Sequence, residues 1–279
     1  MSIYLERGVF QRFDPVVSPA PVVVDVSRSG REYPEEFRTQ MPFSTLHDNV
    51  SMYVDEIWSA TPKVGGTLLY ATFPNFWIDV NRHELDLDAD LIEGEWPVPL
   101  QPTRSKTGLG LLKSKSRYGE PVHERKLTVA EVMARMDRYY HPYHAALKSL
   151  LARHRDSFGT VYHLSAHCMS HIGAPTHADA GQPRADFCLS NRNGETCSQQ
   201  TMELVGGIIR QAGFSVTFND PYLGGEIVRR SGAPQDGIES LQVEINKRRF
   251  MDTATFRKTD GFDAVQATAT RILEALAHR

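Results

Sequence analysis

Stretches with strand-like patterns alternate along the chain with helix-like ones, and this alternation most constrains the fold. Residues 21–27 (PVVVDVS) form a continuous apolar run, which is typical of a strand buried in a parallel sheet. Further strands are predicted over residues 66–73, 160–167, 214–220 and 240–246. The βαβα order predicts an α/β fold, in which helices cover both faces of a mostly parallel sheet.

Helix boundaries are predicted from capping residues and from prolines. Thr128 and Glu131 match a capping box and open the longest predicted helix, which Pro142 should kink or restart. Other helices are predicted over residues 48–60, from the N-cap Ser198 to Gly213, and over residues 262–277.

Residues 83–126 interrupt the alternation. This segment is rich in Asp, Pro and Gly, and it is predicted to be a long excursion over the surface. Excursions of this length are usually lids or binding loops. A chain of 279 residues can form one sizeable core, and we interpret residues 1–279 as a single domain.

The composition excludes several classes of protein. The chain has 31 Lys and Arg against 34 Asp and Glu, a net charge of −3, which does not favour nucleic-acid or membrane-surface binding. No apolar stretch approaches the roughly 20 residues that span a bilayer. The three cysteines lack CxxC spacing and are interpreted as reduced thiols of a cytoplasmic protein.

Polar residues are concentrated where the predicted strands end. In open α/β sheets, ligands bind outside the carboxyl ends of the strands. The residues expected there are Arg28, Asp79, Arg82, His167, Asn219 and Glu244. Their convergence from separate strands predicts a site at this edge of the sheet.

Glu244 is the leading candidate for a catalytic base. It stands between Val243 and Ile245 in the apolar strand LQVEIN. A carboxylate in such a strand is costly to bury unless it is paired, protonated or used. The two interpretations are a general base that activates water and a structural carboxylate paired with an arginine.

His163, His167 and His171 recur at a spacing of four. On a helix they would share one face, but strand geometry places His163 and His167 together and leaves His171 in the next loop. Each is either a functional residue or an ordinary polar residue at a strand end. Cys168 is the neighbour of His167, so it should point to the opposite sheet face and pack there instead of acting as a nucleophile.

Arginines are the candidate ligands for a substrate carboxylate. Arg229 and Arg230 follow a Gly-Gly loop, and Arg82 lies in the segment DVNR. A guanidinium can bind a carboxylate through two parallel hydrogen bonds. The alternatives are a solvated pair for Arg229 and Arg230, and an ion pair with Asp79 for Arg82.

Motifs spread over the chain resemble those of the N-formylglutamate amidohydrolase family. They include Ser29-Gly30, residues 54–56 and 78–82, residues 142–144, His167, Asp186, Cys197 and much of residues 219–252. The resemblance implies a three-layer α/β/α sandwich similar to zinc carboxypeptidases. It also implies hydrolysis of N-formyl-L-glutamate to formate and glutamate, a step of histidine degradation, with a divalent metal such as Zn²⁺.

The resemblance also implies where a metal would bind. His167 matches one ligand, whereas Arg28 stands where the family has histidine and Ser51 where it has aspartate. His47 or Asp48 could supply a replacement ligand, and Asp186 could orient an arginine or a ligand from behind the site. We expect metal binding to be weak or absent.

Three functions are therefore considered. The first is metal-assisted hydrolysis of an N-acyl amino acid, with Glu244 as base. The second is binding of a small acidic metabolite without hydrolysis. The third is a metal-free amidase in which Arg28 replaces the metal electrostatically. In each, the partner is a small acidic molecule.

Overall fold

The computed structural model describes residues 2–279. Its main sheet has eight strands, in the spatial order β1-β2-β4-β3-β7-β10-β8-β9. The sheet strands are β1 (Ile3–Glu6), β2 (Phe10–Phe13), β3 (Val22–Val26), β4 (Thr67–Ala71), β7 (Val161–Met169), β8 (Phe187–Ser190), β9 (Val216–Phe218) and β10 (Ile238–Asn246); two short strands, β5 (Ile92–Glu93) and β6 (Leu127–Thr128), pair separately. The strands β4, β3, β7 and β10 run parallel, as predicted.

Helices cover both faces of this sheet. They are α1 (Phe43–Asp48), α2 (Val54–Ile57), α3 (Val129–Arg135), α4 (His141–Phe158), α5 (Gln199–Gln211), α6 (Glu226–Ser231) and α7 (Phe262–Ala277). One buried cluster joins α2, α5 and α7 to the sheet, and a second joins α3 and α4 to its other face. The three-layer α/β/α architecture is therefore confirmed. No helix among residues 2–279 is long and apolar enough to cross a membrane.

Several predicted boundaries are confirmed. Thr128 and Glu131 form the capping box of α3, and Ser198 caps α5 by accepting a hydrogen bond from the Thr201 backbone. A π-helical turn, Met136–Tyr140, separates α3 from α4, whose first turn contains Pro142. The missing amide hydrogen of proline costs nothing in the first turn of a helix.

The prediction of a single helix over residues 48–60 is wrong. The chain forms α1, which ends at Asp48, and then α2, and Tyr53 between them has a left-handed backbone with φ 65°. Val50, Val54 and Ile57 are buried as expected, but the break turns them inward without a continuous helix. Apolar spacing alone therefore did not distinguish one helix from two.

The prediction also missed strands β1, β2 and β8. Strand β1 is short and exposed, and β2 and β8 flank the four parallel strands, each antiparallel to its neighbour, β4 and β10 respectively. Residues 83–126 contain little regular structure, yet Leu111 and Leu112 are fully buried and Lys113 is 4% exposed. This segment therefore carries a buried cation toward the end of the sheet.

Candidate active site

A cleft lies at the carboxyl ends of the parallel strands, as predicted. Arg28 reaches it from the end of β3, Arg82 from the segment after β4, and Glu244 from β10. The two adjoining chambers of the cleft share five lining residues: Arg28, Arg82, Arg104, Tyr222 and Glu244. The sheet thus brings together residues that are far apart in sequence.

Glu244 is buried at the centre of this cleft. Its side chain accepts a hydrogen bond from Gln242 Nε2 at 3.1 Å, and the residue is 6% exposed. Burial raises the pKa of Glu244 to about 7, although the positive charge of Arg28 opposes the shift. A carboxyl group with this pKa can accept and return a proton near neutral pH.

Gln242 is held so that its amide group faces Glu244. Its side-chain oxygen accepts a hydrogen bond from the Gly225 backbone at 2.8 Å, which leaves the amide nitrogen to donate to Glu244. A Cβ at Gly225 would lie 2.4 Å from the Asn81 side-chain oxygen. Glycine is therefore needed at position 225, where the loop passes close to Asn81. Gln242 helps to orient the candidate base, Glu244.

Asp79 holds two cations beside the cleft. It accepts hydrogen bonds from Arg28 Nε at 3.2 Å and from Lys113 Nζ at 3.0 Å. Burial favours its neutral form, but Arg28 and Lys113 hold the pKa of Asp79 well below its usual range. Burial also lowers the pKa of Lys113 to about 7, although Asp79 opposes this shift. Arg28, Asp79 and Lys113 therefore form a preorganised ion-pair cluster with two cations and one carboxylate.

His167 is buried beside Asn81, outside the lining of both chambers, and is neutral. The residue is 1% exposed, and its Nε2 atom is 3.1 Å from Ser165 Oγ and 3.3 Å from Asn81 Nδ2. Burial, followed by the charge of Arg28, lowers the pKa of His167 to about 3. Its Nδ1 atom has no hydrogen-bond partner among residues 2–279.

The donor set does not fit a tightly bound zinc ion. Within the described residues, no three His, Cys, Asp or Glu side chains lie close enough together to share a metal ion. A catalytic zinc site usually has three such ligands and a water. Asp48, a suggested replacement ligand, instead receives hydrogen bonds from Arg117 and from the Tyr118 hydroxyl at 3.0 Å. His47 stacks on Phe43.

Four other predicted site residues have structural partners outside the cleft. Arg229 forms a two-point pair with Glu226 at 2.7 Å on its own helix, and Arg230 bonds to Glu84 at 3.2 Å. Asn219 exchanges hydrogen bonds with Asn191, and Asp186 holds the Ser215 backbone and Arg249. Arg229 does line a neighbouring cleft together with Arg82.

The structure also shows where the remaining predicted site residues lie. Arg82 donates to the carbonyls of Leu109 and Asn81 at 2.8 Å, so the ion pair suggested with Asp79 is not formed. His163 lies in the core and His171 contacts Arg248 at 3.0 Å. Cys168 packs against the apolar cluster as predicted, but it also lines one chamber of the cleft, and burial raises the pKa of its thiol. An ionised nucleophile is thereby disfavoured.

The sequence prediction missed several cleft residues. They are Arg104, Lys113, Arg117, Tyr222, Gln242 and Lys247. Two of them had a detectable signal: Lys113 follows the apolar pair Leu111-Leu112, and Lys247 directly follows β10. A lysine next to buried residues is unusual unless it has a partner.

Comparison with known proteins identifies the family. Residues 20–251 match the N-formylglutamate amidohydrolase family. This chain belongs to that family. The resemblance to N-formylglutamate amidohydrolases seen in the sequence is thus confirmed. The names of the family and of its relatives describe hydrolysis of an amide bond.

Individual relatives support the assignment to the N-formylglutamate amidohydrolase family. The crystal structure of an N-formylglutamate amidohydrolase from Ralstonia eutropha superimposes with a TM-score of 0.90 at 37% identity, covering 98% of each chain. An N-formylglutamate deformylase from Pseudomonas putida is 27% identical over 231 residues, which are 80% of this chain and 79% of that protein. The Pseudomonas aeruginosa deformylase is 25% identical over 230 residues, 80% of each chain.

Proposed function

We propose that this protein hydrolyses the amide bond of an N-acyl amino acid, with N-formyl-L-glutamate as the first substrate to test. The observation that carries the proposal is Glu244, a buried carboxylate whose pKa is about 7, inside a cleft lined by arginines. The relatives named N-formylglutamate deformylase support the same reaction class.

Glu244 serves as the proton carrier in this proposal. Its carboxylate takes a proton from water as the water oxygen attacks the acyl carbon, and the carbonyl electron pair moves onto its oxygen. When the C–N bond breaks, the protonated Glu244 returns the proton to the departing nitrogen. Gln242 keeps Glu244 in one orientation through both transfers. The products are a carboxylate, formate in the case of N-formylglutamate, and the free amino acid.

Arg82 and Arg104 are the proposed ligands for the substrate carboxylates. Both line the cleft with Glu244, and no carboxylate oxygen among residues 2–279 lies within 4.0 Å of either guanidinium. Arg82 is fixed by two backbone carbonyls, whereas Arg104 is exposed on the 83–126 segment. A dianionic substrate would therefore meet one cation fixed by the backbone and one exposed cation.

The direct test is release of formate from N-formyl-L-glutamate by the purified protein. We expect turnover that falls ~10²–10⁴-fold in Glu244→Gln, which keeps the shape but removes the base. Glu203→Gln, on the exposed face of α5, is the matched control and should keep normal turnover. Equal turnover in Glu244→Gln and the unaltered protein would exclude the base role.

A substrate series distinguishes hydrolysis from binding alone. N-formylglycine, with one carboxylate, should be hydrolysed less efficiently than N-formyl-L-glutamate because it engages only one arginine. Calorimetric binding of N-formyl-L-glutamate with no formate released, at any pH between 5 and 9, would instead establish the binding function.

A further inference from the structure

We infer that the guanidinium of Arg28 supplies, at this site, the positive charge that a divalent metal ion supplies in a metal-dependent hydrolase. Hydrolysis by this chain would then require no metal. The inference rests on the proposed function and concerns how the substrate carbonyl is polarised. It is carried by the position, partners and surroundings of Arg28.

Two of the positions implied as metal ligands are adjacent but carry the wrong side chains. The Ser51 backbone donates a hydrogen bond to the Arg28 carbonyl at 2.8 Å, so both positions lie together at the end of β3. A protonated guanidinium has no lone pair to give to a metal, and a serine hydroxyl is not among the usual zinc ligands. His167 offers one nitrogen without a hydrogen-bond partner among the described residues, the buried Nδ1 atom, and one nitrogen does not hold a zinc ion.

The surrounding charge is also unfavourable for a divalent cation. Asp79, the fully buried carboxylate beside Arg28, already binds both Arg28 and Lys113. Arg82 and Arg104 line the same cleft, and Arg117 and Lys247 contact Asp48. A metal ion near His167 would therefore be repelled by Arg28, which already disfavours a proton on that imidazole.

Arg28 is well placed to act as an electrophile. Asp79 fixes its Nε and Nη2 atoms, while Nη1 has no hydrogen-bond acceptor within the described part of the chain. The side chain is 19% exposed and lines the cleft beside Glu244. A donor fixed in advance stabilises developing negative charge without reorganising during the reaction.

The chemical step balances without a further reactant. Water adds to the acyl carbon, its proton moves to Glu244, and the carbonyl electron pair becomes an oxyanion facing Arg28 Nη1. The oxyanion then re-forms the carbonyl as the C–N bond breaks and Glu244 protonates the leaving nitrogen. Arg28 stays protonated throughout, so it provides charge and hydrogen bonds but exchanges no proton.

The first test uses the unaltered protein, purified without a histidine tag. We expect far less than one zinc per chain by elemental analysis, and formate release that does not change with 1,10-phenanthroline or added Zn²⁺. Zinc close to one per chain, with turnover lost to the chelator and restored by Zn²⁺, would overturn the inference while leaving the hydrolytic function intact. Absence of hydrolysis with and without zinc would overturn both.

The second test changes Arg28 itself. Arg28→Lys keeps a cation near Asp79 but loses the fixed fork, so we expect kcat to fall ~10²–10³-fold, the usual worth of one oxyanion donor, with a smaller change in KM. Arg31→Lys, at an exposed residue paired with Asp55 outside the cleft, is the matched control. Unchanged kcat in a folded Arg28→Lys variant would contradict the electrophile role.

The third test rebuilds the metal site and does not depend on activity. The double change Arg28→His with Ser51→Asp should place two ligands beside His167, so calorimetry should show zinc binding at least tenfold tighter than in the unaltered protein. Adding His167→Ala should abolish this gain. No gain in a folded double variant would mean that Arg28 does not occupy the metal's position, and would overturn the inference.

Discussion

Glu244 and His167 are directly paired across adjacent parallel strands, and burial shifts their pKa values in opposite directions. The pKa of Glu244 rises to about 7, whereas that of His167 falls to about 3. Both shifts favour the neutral form, because an uncompensated charge is costly away from water. Near pH 7, His167 is therefore neutral and Glu244 is the group that exchanges protons.

The first prediction concerns the pH dependence of activity. The kcat for hydrolysis should rise as pH increases through about 7, because only ionised Glu244 accepts a proton from water. The pKa of Lys113 is also about 7, so kcat should fall at higher pH as Lys113 loses its proton and the ion-pair cluster with Arg28 and Asp79 loses positive charge. Steady-state rates between pH 5 and 9 would measure both limbs. A rising limb that persists in Glu244→Gln would assign it to another group.

The second prediction concerns the pH dependence of stability. The folded-state pKa of Glu244 is above its ordinary value of 4.5, so the folded protein binds more protons than the unfolded chain between about 4.5 and 7. The contribution of Glu244 to stability is therefore lost as pH rises through this interval. The Tm of Glu244→Gln relative to the unaltered protein should increase from pH 5 to pH 8. The corresponding difference for Glu203→Gln should stay flat.

The third prediction distinguishes the arginines. Arg104→Ala should raise KM for N-formyl-L-glutamate about tenfold or more with little change in Tm, because Arg104 is an exposed cation that lines the cleft. Lys106→Ala, in the same exposed turn, is the control. Arg229→Ala should change KM less, because Arg229 is already paired with Glu226. The opposite order of the two KM values would restore Arg229 as the carboxylate ligand.

The fourth prediction concerns a buried network below the site. His163 lies 2.7 Å from Ser240 Oγ and 3.0 Å from Asp25 Oδ1, and all three side chains are fully buried. His163→Ala removes one partner of the buried Asp25 carboxylate, which still accepts a hydrogen bond from the Tyr143 hydroxyl at 3.0 Å, so the free energy of unfolding in urea should fall by about 1–3 kcal/mol. His171→Ala, near the surface, should cost far less. A negligible loss in His163→Ala would show that the Tyr143 hydroxyl alone satisfies the Asp25 carboxylate.

The sequence predicted the central sheet well because its strands are buried on both faces. The apolar run at β3 and the strands at β4, β7 and β10 were located to within a few residues. The exposed strand β1 lacks such a run, and it was missed. Pairing with a neighbouring strand, which is a tertiary contact, makes it a strand.

The candidate site was predicted in part. The positions of Arg28, Arg82 and Glu244 followed from the rule that ligands bind at strand ends, and the structure brings them to one cleft. Arg229 and Asp186 are also charged side chains, but each already forms an ion pair, Arg229 with Glu226 and Asp186 with Arg249. Whether a charged side chain is free or paired depends on neighbours distant in sequence.

The sequence by itself determined the α/β class, the family and the residue identities that oppose a metal site, because these depend on local pattern and on which side chains are present. Only the tertiary structure decided the partners of those side chains. It placed Lys113, from an irregular segment, 3.0 Å from Asp79, and it buried Glu244 so that its pKa lies near 7. Burial and charge proximity are properties of the folded chain, and they tune the chemistry that the sequence makes available.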